Sequence, residues 1–83
     1  MDTLPTEKVV GLKQVTKAVR SGRAEKVFLA CDASERVKQP LRVLCETQGV
    51  PTDESATLIE LGKAAGIAVG AAAAAILKAQ ETR

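Results

Sequence analysis

The chain has 83 residues, 12 Lys and Arg against 10 Asp and Glu, 46% hydrophobic residues, and no His, Trp or Tyr. Falling below the usual domain size of about 100–200 residues, it predicts a single domain over residues 1–83, and a chain this short buries only about 60% of its unfolded surface, so the core must be small and tightly packed. Without His, the commonest general base and metal ligand near neutral pH is missing, which argues against an enzyme; with Phe28 as the sole aromatic, there is no platform of rings for stacking single-stranded bases.

In chain order, Met1 to Pro5 shows no basic stretch followed by an apolar one. The longest uncharged stretch, Ala64 to Leu77, is 14 residues of mostly Ala and Gly. Neither a signal peptide nor a membrane span is expected, and a cytoplasmic location is. Val9 and Val10 form a minimal strand ended by Gly11. Leu12, Val15 and Val19 then recur at helical spacing until Gly22, which predicts an amphipathic helix with these three on its buried side. Lys26 to Cys31 is a short apolar run whose length and β-branched and aromatic content predict a strand buried on both faces and central in a sheet.

Asp32 to Ser34 reads as a turn. Pro40 either opens the next helix or kinks one begun near Ser34, with Leu41, Leu44 and Cys45 as its buried stripe and Gly49 and Pro51 as its stop. Cys31 and Cys45, each among apolar neighbours and with 13 residues between them, are expected to be buried, reduced thiols and neither a disulfide nor a zinc site. Val50 to Ser55 is a brief edge strand. Thr57 and Glu60 have the spacing of a capping box, opening a helix over roughly Leu58 to Ala65 that ends at Gly66. Gly62, Gly66 and Gly70 are expected to serve backbone turns. Ala71 to Ala75 has the strongest helix propensity in the chain, yet alternating strands and helices predict a sheet between helices, so local and global signals disagree there.

The charge is unevenly spread. Residues 8–26 carry Lys8, Lys13, Lys17, Arg20, Arg23 and Lys26 against Glu25, a net of +5, which leaves −3 elsewhere. At 100° per residue Lys13, Lys17 and Arg20 share one side of the first helix, apart from Leu12, Val15 and Val19. The stripe begins directly after Gly11, at the amino end of the helix, where unpaired N–H groups and the helix dipole favour an anion such as phosphate. Lys13 and Gln14 lie in that first turn. Lys can donate to guanine O6 and N7 and a Gln amide can both donate and accept, a pattern suited to nucleic acid.

These residues resemble the kink-turn RNA-binding ribosomal proteins of the L-seven-Ae type, most closely their short bacterial relatives, over nearly the whole chain. Gly11-Leu12-Lys13-Gln14-Val15-Thr16-Lys17 stands where the family has Gly-x-Asn-Glu-x-Thr-Lys. Val27 to Asp32, Leu44 to Glu46 with Val50-Pro51, and Leu61 to Val69 are similar to the remaining blocks in order. The resemblance implies an α/β fold, a three-layer α/β/α sandwich with a mixed four-stranded sheet, in which Gly70 to Leu77 becomes a strand. It also implies a non-catalytic RNA-binding protein that recognises and stabilises kink-turns through their tandem sheared G·A pairs.

Carried over position by position, Gly11 lets the RNA backbone approach, Lys13 and Gln14 read guanine edges, and Lys17 binds phosphate or base. Asp32 lies beside the RNA surface, and Ile67, Ala68 and Val69 cover an extruded base. Arg20 is added from the helical stripe as an outer phosphate contact. Where the family has Asn and Glu, Lys13 and Gln14 exchange a carboxylate acceptor for a cation, as the bacterial branch also does. The expected partner is structured RNA with a kink-turn (ribosomal RNA, a riboswitch or another small RNA), with association with the ribosome as one setting. The protein is expected to be monomeric, with no cofactor and no membrane partner. The alternative is a protein-interaction or scaffold module whose acidic residues Glu46, Asp53, Glu54 and Glu60 meet a basic partner. A catalytic pair of Asp32 and Glu46 has no spacing that would set both in one cleft.

Overall fold

The computed structural model describes residues 7–67 and 70–78. Seven elements follow one another: β1 (Lys8–Val10), α1 (Leu12–Arg20), β2 (Ala24–Leu29), α2 (Glu35–Gln48), β3 (Thr52–Asp53), α3 (Leu58–Ala65) and β4 (Ala73–Leu77). The strands form one mixed sheet in the order β1-β4-β2-β3, with β4 antiparallel to both β1 and β2, and β3 parallel to β2. Registers align across all four strands. Val10, Ala74, Phe28 and Asp53 make one row; Val9, Ala75, Val27 and Thr52 make the next.

Because side chains alternate between the faces of a sheet, these rows divide the core in two. On one face Val15, Ala18, Val19, Leu41 and Cys45 of α1 and α2 pack against Val27, Leu29, Ala73 and Ala75. On the other, Leu61, Ala64 and Ala65 of α3 pack against Phe28 and Ala74, with Ala30, Ala56 and Ala71. The result is the three-layer α/β/α sandwich that the sequence predicts, with β2 and β4 central.

Local chemistry accounts for most boundaries. Thr57 and Glu60 form the predicted capping box on α3: the Glu60 N–H donates to Thr57 Oγ1 at 3.2 Å and the Thr57 N–H donates to Glu60 Oε1 at 2.9 Å. The helix ends in the left-handed conformation at Gly66, as predicted. Of the two roles open to Pro40, the structure has the interior one: α2 begins after Ser34 and runs through Pro40 to Gln48. Ala73–Leu77 is a strand in spite of its helix propensity. The helices on both sides need a thin partition, and Ala73, Ala74 and Ala75 are fully buried; packing over both faces outweighs a few tenths of a kcal/mol per residue of intrinsic preference.

Four expectations are corrected. The second strand is displaced two residues toward the amino end, so Cys31 falls beyond it and is exposed, while Cys45 is buried as expected. Leu12 is 36% exposed instead of packed, because it sits at the rim of the apolar arc of α1, where Ala18 completes the buried side with Val15 and Val19. Gly62 serves no turn: it is buried inside α3. At Gly70 a Cβ would come within 3.3 Å of Leu58 Cβ, so the position answers to close packing.

Candidate nucleic-acid interface

Strands β1, β2 and β3 run in one direction and β4 in the other, so the chain leaves β1, β2 and β3 and enters β4 at the same end of the sheet. Main-chain bonds knit these connections together: Gly11 N–H to Ala73 O at 2.9 Å, Ala30 N–H to Ala72 O at 2.9 Å, and Cys31 N–H to Ala56 O at 2.8 Å. The start of α1, the β2–α2 loop with Asp32, the loop before α3 and the run into β4 therefore form one end-face.

Gly11 initiates α1 with φ 100° and ψ 151°, backbone angles essentially restricted to glycine, and a Cβ there would meet no atom within 4 Å. The space above the helix tip is open. The three helix starts differ in how they satisfy their first N–H groups. On α3, side chains of Thr57, Glu60 and Asp32 accept from the Glu60, Thr57 and Leu58 N–H groups. The first turn of α2 contains Glu35. On α1 no side chain caps the start and no acidic residue lies in the first turn, which leaves it the most favourable of the three for an anion.

Behind this tip, Lys13, Lys17 and Arg20 are exposed and line, with Leu12, Thr16 and Ser21, an open groove of about 580 Å³. The three predicted cations are thus brought together. Gln14 is exposed in the same first turn but outside that groove, about 100° around the helix from Lys13. Ile67, just beyond Gly66, is 36% exposed, as an apolar cover requires; Ala68 and Val69 lie outside the described residues. Asp32 is exposed at the end-face, and its Oδ1 accepts the Leu58 N–H at 2.7 Å.

Two of the three cations of α2, Lys38 and Arg42, are engaged within the protein. Lys38, only 4% exposed, donates to Cys31 O at 3.1 Å and Glu54 Oε1 at 3.3 Å, and pairs with Glu35 at 3.3 Å. Arg42 clasps both Glu54 oxygens at 2.9 Å and reaches Glu35 and Gln39. Burial works against the Lys38 ammonium, but its bonds to Glu54 and Glu35 prevail and raise its pKa. Arg42 holds the carboxyl groups of both Glu54 and Glu35 below their ordinary value, with Lys38 adding to the effect. Sequence reasoning missed this network, although Lys38 shares the spacing of Leu41 and Cys45 on the buried side of α2.

Three of the four residues in the acidic stretch are engaged as well. Glu54 is bound as described. Asp53 accepts from the Ser55 hydroxyl and N–H and faces Lys26 at 3.8 Å, the Ser55 bonds being the main cause of its lowered pKa. Glu60 is held by the Thr57 N–H, which lowers its pKa too. By contrast, among the described residues Lys13, Lys17 and Arg20 enter no ion pair. No group of three His, Cys, Asp or Glu side chains among the described residues could hold a metal, and no helix among them is long and apolar enough to cross a membrane.

Known proteins share this architecture and sequence. An RNA-binding protein of Caldanaerobacter subterraneus is 42% identical over 71 residues, covering 86% of this chain and 87% of its own. The large ribosomal subunit protein eL8 of Haloquadratum walsbyi is 42% identical over 72 residues, 86% of this chain and 60% of the relative. Among solved structures, a 15.5 kD RNA-binding protein of Giardia lamblia superposes with a TM-score of 0.79 at 31% identity, covering 88% of this chain and 62% of that one. The sequence profile of the ribosomal protein L7Ae/L30e/S12e/Gadd45 family spans residues 5–83, and the chain is a member of that family.

Proposed function

We propose that this chain is a non-catalytic RNA-binding protein that recognises and stabilises the kink-turn, gripping it with the open tip of α1 and the apolar residues after α3. One observation carries the reading: Gly11 opens an uncapped helix start from which Lys13, Lys17 and Arg20 line a single groove, with no internal partners among the described residues, while Lys38 and Arg42 of α2 are already paired. Family membership and relatives named as RNA-binding proteins support it. Gly11 leaves room for the backbone, Lys13 and Gln14 read guanine edges, and Lys17 and Arg20 hold phosphates. Ile67, with Ala68 and Val69, covers the extruded base, and Asp32 stands beside this surface. The RNA is ribosomal, a riboswitch or another small structured RNA, and the protein acts as one monomeric, cytoplasmic domain.

Stabilisation requires only that the kinked RNA bind more tightly than the extended form, since a ligand shifts a conformational equilibrium by its difference in affinity. The test is a titration at stated salt against a kink-turn and against its twin with the G·A pairs disrupted. Lys17→Ala weakens binding to both and reduces the salt slope by roughly 0.9. Gln14→Ala lowers the preference for the intact motif by about 1–3 kcal/mol, the value of a good base-edge contact. Equal wild-type affinity for the two RNAs refutes the proposal.

A further inference from the structure

We infer that Asp32 is a positioning residue: by accepting the Leu58 N–H it fixes the first turn of α3 and, through Leu58, the run of chain that enters β4. The inference rests on the RNA reading above and names how one of its residues acts. A bare carboxylate at an end-face that draws phosphates is unfavourable by simple repulsion, whereas the same charge at a helix start is favourable. Asp32 is committed to the second role. Its Oδ1 lies 2.7 Å from the Leu58 nitrogen, a bond spanning 26 residues of sequence.

Leu58 is held from the other side as well. Its carbonyl accepts the Ala71 N–H at 3.1 Å, and the position of Gly70 is so close that an added Cβ would stand 3.3 Å from Leu58 Cβ. The adjacent bonds, Cys31 N–H to Ala56 O and Ala30 N–H to Ala72 O, extend the same seam. The capping box of Thr57 and Glu60 satisfies two other N–H groups of this turn but ties it only to itself. Asp32 alone among these side chains joins the turn to the β2–α2 loop. Ala71, at the entry to β4, is therefore tied to Leu58, and that tie depends on where Asp32 holds the helix.

The experiment compares Asp32→Ala and Asp32→Asn, the latter keeping an acceptor oxygen and losing the charge, each alone and combined with Ile67→Ala. Amide exchange is read without RNA, and kink-turn affinity is read over a range of salt. In Asp32→Ala, protection falls at both Leu58 and Ala71. Kink-turn affinity drops about fivefold, the scale of a lost helix cap, with no change in salt slope. Ile67→Ala then costs less in that background than in the wild type, the mark of two residues acting through one element. Asp32→Asn restores most of both readouts. Unchanged Ala71 protection in Asp32→Ala overturns the inference, and so does a gain in affinity with a steeper salt dependence, which would make the carboxylate a mere repulsive neighbour of the RNA. Failure of the wild type to prefer a kink-turn sinks the functional reading instead, and is distinguished by exchange data that need no RNA.

Discussion

Replacing Gly11 by alanine separates backbone strain from contact. The residue sits at φ 100° and ψ 151°, where a non-glycine residue costs about 1–3 kcal/mol. No atom lies within 4 Å of the added methyl, so steric crowding contributes nothing in the free protein. Nor can the angle relax freely: the Gly11 N–H is bonded to Ala73 O and its carbonyl accepts the Val15 N–H, both at 2.9 Å. Swinging φ negative would break the link between the helix start and β4. At roughly 4–8 °C per kcal/mol for a domain of this size, the melting midpoint should fall by about 4–24 °C. The assay is a thermal melt without RNA, followed by a kink-turn titration at a temperature where the variant is folded. On the proposed function the methyl stands in the path of the RNA backbone, and the expected outcome is that affinity falls as well. A midpoint within about 2 °C of wild type refutes the strain argument; wild-type affinity in the folded variant refutes the assignment of Gly11 to the RNA approach.

Two further outcomes concern the scaffold. Glu54 and Glu35 titrate below the ordinary carboxylate value of 4.5 in the folded protein, so their ion pairs stabilise the fold above that pH and the contribution is lost as pH falls through their folded values; Glu54→Gln should cost on the order of 1 kcal/mol at neutral pH after allowing for the exposure of the pair, and acid unfolding curves should show a shallower loss of stability below pH 4.5 than in wild type. Ala74→Val should lower the melting midpoint in spite of the better β-propensity of valine, because Ala74 is fully buried beneath α3 and overpacking costs about 1–3 kcal/mol; a rise in the midpoint would show slack in that layer.

What was legible in the sequence follows the range of the interactions. The capping box of α3 and its glycine stop involve residues three or four apart, and their spacing announces them. The basic stripe of α1 was equally plain, since one helix carries it. β4 was not legible locally: five alanines in a row prefer a helix, and what makes the last three of them strand is the pair of helical layers on either side, which the alternation of elements and the order of family blocks conveyed. The exposure of Cys31 turned on a two-residue displacement of β2, beyond what composition resolves. The bond from Asp32 to Leu58 joins residues 26 positions apart with no motif between them, so nothing short of the folded chain reveals it.

The sheet order has a consequence for biosynthesis. Among the described strands β1 pairs only with β4, whose partner residues follow its own by 64 to 68 positions. Until that segment has left the ribosomal exit tunnel, β1 has no neighbour and the Gly11 N–H has no Ala73 carbonyl to meet. The end-face at the start of α1 is therefore completed only when β4 takes its place between β1 and β2, a long-range pairing whose loop-closure entropy is lost before its contacts compensate.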